Sequence, residues 1–159
     1  MHSETSEQIA TQLLQQYNTL LVPKPIVASE LGIEECTLNA YMGKGIGIFP
    51  YVKIGKEKGS KVLFNIHDLA YFLATDTSGN LTRELREKYI YDFLFTKYSR
   101  RVIGKKEFAS FLDVSTNTIG EYMKNNIIPF TKHGQSKNAR VTFSIMDIAK
   151  NLSNVIETM

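Results

Sequence analysis

Apolar residues recur along the chain in two rhythms that follow one another in a fixed order. Ile9, Leu13, Leu14 and Tyr17 fall at i, i+4, i+5 and i+8, the stripe of an amphipathic helix. Val27, Ala28 and Leu31 predict a shorter helix ended by Gly32, and Leu38, Tyr41 and Met42 the inward face of another beginning after Ile33. After Pro50 the period drops to two. Residues 51–55 and 61–66 alternate around the polar tip 56–60, which predicts a β-hairpin whose Val/Phe/Ile face packs inward. A last short helix is expected from Asp68, with Leu69, Phe72 and Leu73 closing the core.

The same succession then occurs a second time. Residues 7–42 match 88–123 at a constant shift of 81, and 50–74 match 129–153 at a shift of 79. Ile90, Leu94, Phe95 and Tyr98 repeat the opening stripe, on a longer helix starting near Thr82. Phe108, Ala109 and Leu112 repeat the next helix, ending near Asp113. Ile119, Tyr122 and Met123 repeat the third, with Ser115-Thr116-Asn117-Thr118 supplying N-cap residues. Residues 130–134 and 140–145 form the second hairpin around 135–139, and Asp147, Ile148 and Leu152 the closing helix. The two-residue difference falls in 43–47, a glycine-rich stretch read as a loop insertion. A period of about 80 exceeds a solenoid unit and suits a small domain. The expectation is a tandem duplication, domains 1–78 and 79–159, joined by the polar linker 76–80. The fold class is mostly α with small β-hairpins (α+β).

Charge divides unevenly between the copies. Residues 1–78 carry six Lys+Arg against eight Asp+Glu, a balance of −2, and residues 79–159 carry thirteen against eight, +5. A basic half suits an anionic partner, nucleic acid above all. No apolar run reaches the roughly 20 residues of a membrane span, and no signal-like segment opens the chain. Cys36 is the single cysteine, so a reducing, cytoplasmic setting is expected. His2, His67 and His133 are far apart, and no metal or cofactor is expected. Neither a Ser/His/Asp set nor a phosphate-binding glycine loop has supporting context, which argues against an enzyme.

Two short helices, a tight turn and a small residue at the crossing (Ala28, Ala109) are the parts of a helix-turn-helix, here followed by a basic hairpin. Residues 28–33 with Thr37-Leu38, and 108–115 with Thr118-Ile119, resemble the excisionase and MerR-type winged helix-turn-helix family. Ile48-Phe49-Pro50 and Ile127-Ile128-Pro129 stand at its proline step. Residues 61–64 and 140–143 stand for its basic-x-x-aromatic strand, and Asp68-Leu69 and Asp147-Ile148 for its last helix. The resemblance covers roughly 24–74 and 105–152. It implies two winged helix-turn-helix domains and a double-stranded DNA partner. The arginine that the family carries three residues after the Thr is replaced here by Ala40 and Glu121.

DNA contacts are accordingly expected from Ser115, Thr116, Asn117, Lys124 and Asn125 on the second copy's recognition helix, with Ser115 also a candidate N-cap. Lys105 and Lys106 join them from the preceding helix. The wings would contribute Lys53, Lys56, Lys58 and Lys61 in the first copy and Lys132, Lys137 and Arg140 in the second, all on the outward face and tip. Glu34 and Glu35 would repel phosphate, so the first domain is also read as a docking surface for a protein partner. The whole chain as a protein-interaction adaptor is the alternative function. A transcriptional regulator and a recombination or plasmid-maintenance factor of a bacterium or mobile element remain open, as do homodimerisation and the target site.

Overall fold

The structure, a computed structural model, describes residues 5–44, 50–55, 61–74, 81–136 and 138–154. The linker 76–80, the glycines 45 and 47, and the wing residues Lys56, Lys58 and Lys137 lie outside these. The chain divides into two compact units, the first ending at Arg83 and the second spanning Glu84–Asn154. It is a mixed α/β protein.

Unit 1 runs α1 (Ser6–Tyr17), β1 (Leu21–Val22), α2 (Lys24–Leu31), α3 (Glu35–Lys44), β2 (Val52–Ile54), β3 (Lys61–Asn65), α4 (Ile66–Leu73). Unit 2 repeats that order as α5 (Arg83–Tyr98), β4 (Val102–Ile103), α6 (Lys105–Leu112), α7 (Thr116–Lys124), β5 (Thr131–His133), β6 (Arg140–Ser144), α8 (Ile145–Leu152). Each unit folds its strands into a three-stranded antiparallel sheet, ordered β1-β3-β2 and β4-β6-β5.

Local chemistry explains the element ends. Thr5 and Gln8 cap α1 reciprocally, the Thr5 hydroxyl accepting from Gln8 N–H and Gln8 Oε1 from Thr5 N–H. Gly32 and Asp113 end α2 and α6 in the left-handed region, at φ 69° and 56°. Ser115 caps α7, and Asn65 and Ser144 cap α4 and α8. The left-handed residues repeat at the sequence shifts: Asn18 with Ser99, Gly32 with Asp113, Gly55 with Gly134. So does a backbone bond tying the start of each closing helix to the chain before the first strand. Ile66 N–H donates to Leu20 O, and Ile145 N–H to Arg101 O.

The cores use paired positions. Leu13/Leu94, Val22/Ile103, Leu38/Ile119, Phe64/Phe143, Ile66/Ile145 and Leu69/Ile148 are all buried. Substitutions inside them compensate in volume. Phe108 replaces Val27 and meets Phe143 at 4.8 Å between ring centroids, whereas in unit 1 Tyr51 supplies the neighbouring ring to Phe64 at 5.9 Å.

Several expectations need correcting. The first strand of each sheet was not expected, because two residues show no alternation. The closing helices begin at Ile66 and Ile145 rather than Asp68 and Asp147, because the side chains of Asn65 and Ser144 cap them two residues earlier than expected. Gly43 and Lys44 belong to α3 rather than to a loop. Tyr41, Phe72 and Phe95 are exposed by 37–48% instead of closing the core. Phe95 instead stacks on Tyr91, with the Arg101 guanidinium 5.5 Å from its ring centroid.

Candidate nucleic-acid interface

Strand register decides where the wing charges stand. Residues directly opposite in an antiparallel pair share a face. In unit 2, Lys132 pairs with Val141 and His133 with Arg140. Lys132 therefore shares a face with Val141 and Phe143, and Arg140 shares the other with Thr131, His133 and Thr142. In unit 1, Lys53 pairs with Val62 and Ile54 with Lys61, which separates Lys53 from Lys61 in the same way. The expected single outward basic face is corrected on this point, since the period-2 pleat sends neighbours in register to opposite sides.

The face of Arg140 differs sharply between the units. Its counterpart in unit 1 carries Leu21, Val52, Ile54 and Leu63, all buried. In unit 2 the same positions hold Val102, 45% exposed, with exposed Thr131 and His133 and the buried hydroxyl-bearing Thr142. The His133 ring Nε2 and Thr142 Oγ1 share a hydrogen bond of 2.9 Å.

The helix pair of unit 2 presents a polar surface. Ser115 is committed to capping: its hydroxyl accepts from Thr118 N–H at 3.1 Å and lies 3.0 Å from the Thr118 hydroxyl. Thr116, Asn117, Glu121, Lys124 and Asn125 are exposed on or just beyond α7. Asn117, Gly120, Glu121 and Lys124 follow one helical stripe, so an acid stands between the candidate reading amide and Lys124. Lys105 reaches this stripe from α6. Its ammonium lies 3.8 Å from where a Cβ on Gly120 would stand, an ordinary contact distance that places the cation beside the stripe. Residue type alone marks Lys105 as a candidate, whereas this contact depends on how two helices cross.

Lys105 and Lys106 occupy the first turn of α6, where the helix dipole disfavours cations. Glu107 offsets that locally. One carboxylate oxygen accepts from Gly104 N–H at 3.0 Å, and the other pairs with the Arg100 guanidinium. The Tyr98 hydroxyl donates to Glu107 O, and burial beside that carboxylate raises its pKa.

Unit 1 arranges the same elements with different chemistry. Pro25 stands for Lys106, and Glu34, Glu35 and Cys36, all exposed, stand for Ser115, Thr116 and Asn117. The stripe of α3 reads Cys36, Asn39, Ala40 and Gly43, without a cation. Lys53 is exposed and Lys61 half-buried. The Tyr17 hydroxyl bonds Glu30 across α1 and α2. That bond, with burial and the carboxylate charge, pushes the phenol to about 12.

No group of His, Cys, Asp and Glu among the described residues could hold a metal ion, and no described helix is long and apolar enough to cross a membrane. Comparison with family models, with curated proteins and with solved structures finds no match to this chain.

Proposed function

We propose that the chain is a non-enzymatic double-stranded DNA-binding protein made of two winged helix-turn-helix units of the excisionase and MerR type. The observation that carries this reading is the surface of unit 2. An exposed polar helix stripe with Lys105 laid against it, and Lys106 and Lys124 nearby, stands in the same unit as an exposed hairpin bearing Lys132 and Arg140. In such a module α7 would lie in the major groove and the hairpin along phosphate. Asn117 would pair with adenine, because its amide carries both a donor and an acceptor. The setting would be cytoplasmic, at the nucleoid, with a regulatory or recombination role.

Unit 1 supports a second role beside this one. Exposed Glu34 and Glu35 at the opening of α3 and Ala40 on its stripe suit a protein partner better than phosphate. Selection of binding sites from random duplexes, followed by titration at two salt concentrations, tests the reading. Salt-sensitive binding with a recovered consensus is expected. Absence of salt-sensitive DNA affinity would overturn it and leave the adaptor function.

A further inference from the structure

The two sheets of this protein differ most on the face that bears Lys61 and Arg140. In unit 1 that face is apolar and buried, through Leu21, Val52, Ile54 and Leu63. In unit 2 the replacements Val52 to Thr131, Ile54 to His133 and Leu63 to Thr142 make it polar, and Thr131, His133 and Arg140 are exposed. Three polar replacements on one face are not what a surface meant to pack against apolar protein would carry. We infer that His133 is a second phosphate-contacting residue of the unit 2 wing, side by side with Arg140, and that its protonation strengthens DNA binding.

The geometry supports this in three ways. His133 and Arg140 are directly opposed in register, so their Cβ atoms stand about 5 Å apart on one face and meet the same stretch of backbone. The hydrogen bond shared by Nε2 and Thr142 Oγ1, in which a cationic ring would donate, holds the imidazole by that edge and leaves Nδ1 to meet a ligand. Among the described strand residues on this face of the sheet, the charged one is Arg140. The helix α6, with Lys105, Lys106 and Glu107, packs on the other face, where Phe108 meets Phe143. On α8, Asp147 stands beside Ser144, at the end of β6 remote from Arg140. A phosphate held beside the ring favours its cationic form over the neutral one. Binding and protonation are therefore linked.

The inference rests on the DNA-binding reading, and its test separates the two. The full chain, with His133→Gln and His133→Lys variants, is titrated against a mixed-sequence duplex about three helical turns long, at about pH 5.5 and about pH 8. Carboxylates titrate mostly below this window and lysines above it. His67, which burial lowers to about 4, stays neutral throughout. The parent should bind about five- to tenfold tighter at the acid end near 0.1 M salt, with a salt slope steeper by about 0.9. His133→Gln should lose both differences, and His133→Lys should keep the tight binding at both pH values. A glutamine variant that retains the parent's pH dependence, a parent with salt-sensitive but pH-independent binding, or a lysine variant that binds no better than the parent at about pH 8 would each overturn the inference while leaving DNA binding intact. A parent without salt-sensitive binding at either pH overturns the DNA-binding reading, and this inference with it.

Discussion

His67, in the first turn of α4, is lowered by burial to about 4, well under the ordinary imidazole range. Above about pH 6.5 the folded and unfolded chains both carry it neutral, and its contribution is constant. Between about 6.5 and 4 the unfolded chain takes up a proton that the folded chain refuses, so stability falls as the pH falls. The loss is on the order of 3 kcal/mol. Denaturation of His67→Gln at neutral and mildly acid pH should show a smaller acid loss than the parent; an equal loss would mean that other groups drive it. Phe64 and Phe143 test the cores at the same scale. Both are fully buried, and truncating either to alanine should cost about 3–5 kcal/mol by chemical denaturation. A cost below about 1 kcal/mol at either site would mean that the neighbouring ring collapses into the space.

At the scale of elements, α7 and α3 occupy the same place in their units with opposed surface chemistry. Asn117→Ala should relax discrimination at one base position by about 1–3 kcal/mol, measured on a selected site and its single-base variants. Glu35→Ala, which removes an exposed negative charge at the opening of α3, should leave DNA affinity unchanged or raise it. A fall in affinity on that substitution would place Glu35 in a favourable contact and reverse the role given to α3. The hairpin of unit 2 carries Lys132 and Arg140 on opposite faces, so a wing standing edge-on to the duplex uses both. Replacing each singly by glutamine should reduce the log–log salt slope by about 0.9, and replacing both by about twice that. A double variant no flatter than one single variant would show a wing lying on one face.

For the whole molecule, the repeat is legible in the sequence and reappears in the backbone, down to the paired left-handed residues Asn18/Ser99 and Gly32/Asp113. Helices, the ends at Gly32, Asp113 and Ser115, and the two hairpins were readable because they depend on signals a few residues apart: apolar period, a capping side chain, a left-handed terminus. Splitting the charge by copy also marked the second unit as the basic one without any structure. Contacts distant in sequence decided the rest. Leu21-Val22 and Val102-Ile103 became strands only because β3 and β6 stood ready to pair with them, since two residues have no period of their own. Phe95 continues an apolar stripe in the sequence, but its exposure depends on what packs beside α5. The site divides along the same line. The residue types of Asn117, Lys132 and Arg140 marked them as candidates, whereas the seat of Lys105 at Gly120 and the pairing of His133 with Arg140 came from helix crossing and strand register. A one-residue change of register would exchange the faces of every strand side chain, so tertiary pairing, not local propensity, determined which charges stand together.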